Sequence, residues 1–209
     1  MRSCQAGRVP ARPLVLASAS PARLGVLRDA GLAPEVMVSG VDEGGIDGLA
    51  PPDAVRTLAL RKAGAVADRL GADGALVVGC DSLLAVGEEL RGKPASAEEA
   101  TRWWRQQRGR AATLHTGHAV VDTASGRTAS GAAATVVHFG TPSDAEVEAY
   151  VASGEPLAVA GAFTIDGRSA PFVERIDGNH GTVLGLSLPL LRNLLAELGV
   201  GIVDLWGTP

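Results

Sequence analysis

The chain has 209 residues, 46% of them apolar, with 19 basic against 23 acidic side chains and a formal net charge of −4. That length supports one large domain or two joined lobes around a substantial core, and the balance lacks the basic face of a general nucleic-acid binder. No run reaches the roughly 18 apolar residues of a membrane span, and Cys4 and Cys80 match neither a zinc-site spacing nor a disulfide framework, a usage that suits a reducing cytoplasm.

Residues 1–12 carry three arginines and no apolar segment of the secretory type, and read as a flexible extension. "PLVLAS" is a short buried strand. It is followed by a helix capped by Ser20, opened by Pro21, striped by Leu24, Leu27 and Ala30 and stopped by Gly31. "PEVMVSGVDEGG" predicts a second strand leaving through an acidic, glycine-rich loop, and "PPDAVRTLALRKAGAVADRLG" a long helix with Asp53 as its cap and Gly71 as its stop. A strand over Ala75–Val86 turns at "GEE" and returns to a loop at Gly92, Lys93 and Pro94. Ser96 and Glu99 form a capping box for the next helix, and Ser143 and Glu146 another. "ASGR" separates two long strands as a hairpin turn, Asp166-Gly167 predicts a second hairpin, and "SLPLLRNLLAELG" is a last helix between Ser187 and Gly199. Strands alternate with helices in the first half and hairpins enter in the second, so the fold class is mixed α/β, with a largely continuous, partly antiparallel sheet.

Asp81 interrupts "LVVGCDSLLAV", where pattern and flanks predict burial. An unpaired buried carboxylate costs several kcal/mol or protonates, so a divalent metal, a lysine, a water to be activated or the backbone N–H groups of a turn must compensate it. Lys62 lies on the helix face that carries Leu58, Ala59 and Val66, and Lys93 sits between two conformationally restricted neighbours. Arg23 lies in the first turn of its helix, where the dipole disfavours a cation unless an anion joins it. Asp42 and Glu43 stand side by side in a flexible loop, a pattern that suits Mg²⁺, which takes one or two carboxylates plus substrate phosphates. His115 and His118, three apart in a strand, point to opposite faces and share no metal. No G-x-S-x-G elbow, P-loop or dinucleotide fingerprint is present.

In this order "SASPAR", "VDE", "LALRKA", "GCDSLL", "RGKP", "GRAATLHTG", "YVASGEP", "AGAFTIDG" and "VLGLSLPLL" resemble the Maf family of nucleoside triphosphate pyrophosphatases from about Leu14 to Gly199. The resemblance implies a Maf/ITPase-like fold over the whole chain: a mixed twisted sheet flanked by helices, with two lobes about a substrate cleft, commonly as a homodimer. It implies hydrolysis of nucleoside triphosphates to monophosphate and pyrophosphate with a divalent cation, Mg²⁺ or Mn²⁺. Asp81 falls on the family's catalytic aspartate, the proton acceptor for water. Glu43, Lys62 and Lys93 fall on its functional acidic and basic positions, and Ser18, Ser20 and Arg23 on its phosphate-contacting first loop.

On this reading Asp81, Lys62 and Lys93 are catalytic, Glu43 and Asp81 hold the metal, and Ser18, Ser20, Arg23, Ser82 and Asp166 contact substrate. The sequence departs from the family pattern at Ala22, where a second arginine is common, at Ser82, where threonine is frequent, at Ala112, where many members carry histidine, and at Val159, Phe163, Thr164 and Asp166, which replace residues of the pyrimidine-specific motif. The reaction class therefore transfers and the base does not. The expected role is clearance of excess or non-standard nucleoside triphosphates in the cytoplasm, without stable nucleic-acid or membrane binding. The competing reading is a nucleotide-binding regulator of cell-division arrest.

Overall fold

The apolar triplet Leu14–Leu16 forms β1, fully buried, and the serine-rich turn after it leads into α1 (Pro21–Asp29). The computed structural model describes residues 12–206. The extension expected over 1–12 lies outside the described residues except for Arg12, which is tied down: its Nε donates to Gly74 O at 2.9 Å and its guanidinium pairs with Asp122. After β2 (Glu35–Val36) come α2 (Pro51–Leu70), β3 (Leu76–Val86), β4 (Glu89–Arg91), α3 (Ala97–Gln107), β5 (Ala111–Asp122), β6 (Thr128–Phe139), α4 (Asp144–Ala152), β7 (Val173–Asp177), α5 (His180–Val183) and α6 (Leu188–Glu197). All seven strands join one sheet in the order β2-β1-β3-β5-β6-β7, with β4 on β3. β1 runs parallel to β2 and β3, and the other pairs are antiparallel. The mixed α/β sheet flanked by helices is the architecture read from the pattern.

The edges of β3 position the site. β5 covers one edge from Leu76 to Ala85. On the other edge β1 pairs only with Leu76–Val78, and β4 only with Leu84–Val86. Residues 79–83 are thus left without a strand neighbour on that side, just beyond the carboxyl end of β1, where ligands bind in open α/β sheets. The core divides at the same place. Leu14, Leu16, Leu76, Val78, Val120, Leu191 and Leu195 pack around the first half of β3, and Leu84, Trp104, Leu114, Val137, Phe139 and Tyr150 around its far end. Two apolar clusters meet at a polar band.

α2 lies unusually close to this band. A Cβ at Gly117 would stand 2.1 Å from Val55 O, and one at Gly79 would stand 2.4 Å from Ala59 O. Glycine is needed where one backbone approaches another so closely. Gly117 pairs with Asp81 in the sheet, so the contact that seats α2 also brings that helix over the aspartate.

Several local expectations are corrected. Asp53 does not cap α2: Ala50 is the N-cap, with no side-chain bond, and Asp53 instead accepts from Arg56 in the exposed first turn. Two prolines at the helix start leave fewer N–H groups to cap. The predicted second strand shrinks to two exposed residues, because its neighbour β1 ends at Leu16 and offers no further ladder; beyond it Arg69 of α2 donates to Val38 O at 2.6 Å and the chain departs as a loop. Ser96 caps α3, but Glu99 reaches back to Ala95 N and not to Ser96 N, whereas Ser143 and Glu146 form the full reciprocal box. Asp166-Gly167 is not a hairpin. The segment is held by side chains: Ser169 Oγ accepts from Thr164 N and donates to Thr164 O, both at 2.8 Å, and Glu155 accepts from Arg168 N at 2.9 Å. These bonds replace a strand ladder, and only β7 follows.

Candidate active site

Asp81 sits in the middle of β3, and its side chain lies on the α2 face with Val77, Gly79 and Leu83, whose periodicity of two places them together. It is buried, with 6% of its surface exposed. Of the partners its burial demanded, the structure supplies a lysine: Lys62 Nζ, itself buried on α2, donates to Asp81 Oδ1. The same ammonium donates to Glu43 Oε1 at 2.6 Å. One lysine therefore joins a buried carboxylate to an exposed one. Burial pushes the Asp81 carboxyl above its ordinary value of 3.8; Lys62 and then Arg23 oppose the shift, and Glu43 adds to it. A raised carboxylate is a stronger base than a free aspartate, which suits it to take a proton from water.

Glu43 reaches Lys62 from a loop pinned to α2. Arg61 donates to Gly44 O at 2.5 Å, and Asp42 Oδ1 accepts from Gly44 N at 3.0 Å. Asp42, the acidic neighbour of Glu43, thus supports the turn itself.

The opposite face of β3 is built around Arg23. Its Nε donates to Gly185 O at 2.9 Å, one terminal nitrogen to Cys80 O at 2.9 Å and Ser18 Oγ at 3.2 Å, and the other to Ser82 Oγ at 3.2 Å. Every acceptor is neutral, so among the described residues the guanidinium is held in place while its charge stays uncompensated by a bonded carboxylate. Cys80 O is available to it because no strand covers that edge. Ser20 caps α1 by accepting from Arg23 N at 3.4 Å, and Ser18 Oγ accepts from Ser20 N at 3.2 Å. Both hydroxyls keep their own protons free for a ligand beside the N-terminus of α1, where anions are favoured. Ser82 has its proton committed. Thr116 Oγ1 donates to Thr182 O at 2.8 Å, so the 2.9 Å contact between Ser82 and Thr116 runs from the Ser82 hydroxyl.

The remaining candidates lie apart. Lys93 is exposed and makes no hydrogen bond or ion pair among the described residues. It follows β4 by two residues, past the point where Leu84↔Arg91 ends the pairing with β3. Asp166 is exposed and bonded to Thr164 within its own loop, which the structure does not join to the Asp81 cluster. His115 and His118 do face opposite ways. His118 is fully buried on the Arg23 side, and burial lowers its pKa to about 4. Its Nε2 accepts from Ser187 N at 2.7 Å. Sequence reading set His118 aside as a poor metal ligand, and no local signal announced this partner 69 residues away.

Two hard carboxylates, Asp81 and Glu43, make up the acidic donor set, and no group of three or more His, Cys, Asp or Glu is gathered as a metal cage among the described residues. This donor chemistry fits Mg²⁺ or Mn²⁺ arriving with a polyphosphate, which keeps its waters and needs only one or two protein carboxylates.

The open α/β sheet thus carries a buried acid–base pair on one face of its uncovered edge and a fixed cation on the other. The model of the family described as Maf-like protein matches residues 13–198, and the chain belongs to that family. It is 64% identical over 197 residues to a nucleoside triphosphate pyrophosphatase of Streptomyces coelicolor, covering 94% of this chain and 96% of the relative. It is 61% identical, with the same coverage, to one of Streptomyces avermitilis, and 52% identical to one of Thermosynechococcus vestitus, covering 92% and 96%.

Proposed function

We propose that this protein is a nucleoside triphosphate pyrophosphatase, hydrolysing the α–β phosphoanhydride to a nucleoside monophosphate and pyrophosphate. The observation that carries the reading is the division of labour across the open edge of β3: a buried Asp81–Lys62 pair faces one way, and an Arg23 bonded only to neutral acceptors faces the other. Relatives bearing that name at 52–64% identity support it.

The reaction needs an oriented water, in-line geometry and neutralisation of the departing phosphate charge. Asp81, with its raised proton affinity, orients the water and takes its proton. Lys62 fixes the carboxylate and offsets charge beside it. Arg23 holds phosphate oxygens with the Ser18 and Ser20 hydroxyls, acting as a preorganised donor set at the developing charge. Lys93 closes on the phosphates from the loop after β4. Asp81 and Glu43 would hold the Mg²⁺ or Mn²⁺ that accompanies the triphosphate, whose chemistry is to neutralise phosphate oxygens. Ser82 acts by holding Arg23, and Asp166 belongs to the loop that would meet the base.

The fuller reading is a homodimeric, cytoplasmic enzyme that clears excess or non-standard nucleotides. A buried free thiol at Cys80, an acidic net charge and the absence, among the described residues, of any helix long and apolar enough to cross a membrane are in keeping with it. Incubation with Mg²⁺ and a panel of standard and modified nucleoside triphosphates tests the reading. Equal release of monophosphate and pyrophosphate is expected, and release of inorganic orthophosphate instead would contradict it.

A further inference from the structure

Three buried side chains of β5 and β6 grip one stretch of backbone. Thr116 Oγ1 donates to Thr182 O at 2.8 Å, His118 Nε2 accepts from Ser187 N at 2.7 Å, and Thr135 Oγ1 donates to Asn179 O at 3.0 Å. None of the three exposes more than 1% of its surface. What they hold is short and irregular: the four-residue α5, then Gly185 at φ +93°. The Gly185 carbonyl accepts from Arg23 Nε at 2.9 Å. A Cβ on Gly185 would stand 2.8 Å from that same Nε, so this turn and the guanidinium are already in close contact.

The proton directions are fixed along both routes. His118 Nδ1 lies 3.2 Å from Thr116 O, a carbonyl that can only accept, so Nδ1 carries the hydrogen and Nε2 is left to accept from Ser187. Thr116 gives its proton to Thr182 O, so it takes one from Ser82, and Ser82 is then an acceptor for Arg23. One route runs from His118 through the 185–187 backbone to Arg23 Nε, and the other from Thr116 through Ser82 to a terminal nitrogen. They converge on the Arg23 guanidinium.

We infer that Thr116 and His118 are positioning residues for Arg23, setting the orientation of its guanidinium toward the phosphate chain without touching substrate. The inference rests on the pyrophosphatase reading for the identity of the anion. It places the control of phosphate affinity in the interior of the hairpin, behind the face that the ligand meets.

The test is a set of thermodynamic cycles read by direct calorimetric binding of Mg²⁺-pyrophosphate, alongside KM and kcat for a triphosphate. Thr116→Val and His118→Leu are expected to weaken pyrophosphate binding and raise KM about tenfold, the size of one hydrogen bond to a charged group, with kcat changed less. His118→Gln, whose amide oxygen can accept from Ser187 N, is expected to recover most of the loss. In an Arg23→Ala background Thr116→Val is expected to add less than about twofold, because residues acting through one partner are not additive. Undiminished losses in that background, or wild-type affinity in Thr116→Val, would overturn the inference. Should His118→Leu fail to fold, the Thr116→Val cycle decides. Pyrophosphate binding without triphosphate turnover by the wild type would sink the pyrophosphatase reading while the binding cycles still judged this one; no pyrophosphate binding at all would sink both.

Discussion

The two faces of β3 at its uncovered edge solve opposite problems. On the α2 face a carboxylate is buried and paired, and the pairing is what makes it usable: burial raises the proton affinity of Asp81 while Lys62 keeps the charged form accessible. On the other face a cation is held by carbonyls and hydroxyls alone, so its geometry is fixed and its charge is left for a ligand. Successive residues of one strand point to opposite faces, so "Cys-Asp-Ser" places a base on one side and an arginine acceptor on the other. Proton transfer and anion holding can then be altered separately.

The sharpest break in that comparison is Asp81→Asn. Loss of a positioned general base costs about 10²–10⁴-fold in rate, and kcat is expected to fall by about 10³ while affinity for metal-free pyrophosphate, a property of the Arg23 face, stays within about threefold of wild type. The acid limb of the wild-type rate profile is expected above the ordinary aspartate value of 3.8, because the folded carboxyl is raised. Lys62→Met comes next. Removing one partner of a buried ion pair typically costs 3–5 kcal/mol, and about 3 kcal/mol is expected at neutral pH. A carboxyl whose folded pKa is raised contributes stability below its unfolded value and loses it as pH rises through the folded one. The Tm deficit of Lys62→Met should therefore be largest near neutrality and shrink on acidification; a deficit that grew toward acid pH would contradict the assignment.

On the other face, Arg23→Ala is expected to raise KM for triphosphate by about tenfold or more, the loss of charge-assisted bonds to phosphate, with the acid limb still present. Initial rates across pH check this, and an abolished limb would merge the two faces into one. The smallest effect is expected at Asp166. Its side chain is exposed and bonded within its own loop, so Asp166→Ala should leave kcat within about twofold and act, where it acts, on the choice among bases in competition assays.

Local chemistry was legible where the determinant is local. Ser20, Pro21 and Gly31 bound α1 as their cap, first-turn and left-handed preferences dictate, and a lone Asp81 in an apolar strand signalled a buried acid that needed a partner. Which partner was legible only in three dimensions: Lys62 reaches it because Gly79 and Gly117 let α2 settle onto the sheet, and neither glycine announces that in sequence. The uncovered edge itself depends on where β1 and β4 stop pairing, a matter of register between distant segments. Asp166-Gly167 carried a true turn signal in a false context, since Ser169 and Glu155 satisfied the backbone that a second strand would have used. His118 showed no functional pattern because its partner, Ser187 N, is a backbone group of a segment known only once the chain is folded.

The measurement closest to the central claim is product analysis for folded Asp81→Asn beside wild type, with one triphosphate that the wild type turns over, Mg²⁺, and calorimetric binding on the same samples. The account predicts equimolar monophosphate and pyrophosphate from the wild type, and from Asp81→Asn a retained affinity for metal-free pyrophosphate with turnover lower by about 10³, within the range lost with a positioned base. Undiminished turnover by folded Asp81→Asn, or a wild type that binds nucleotide and never cleaves it, would contradict the account, and the second result would favour a nucleotide-binding regulator.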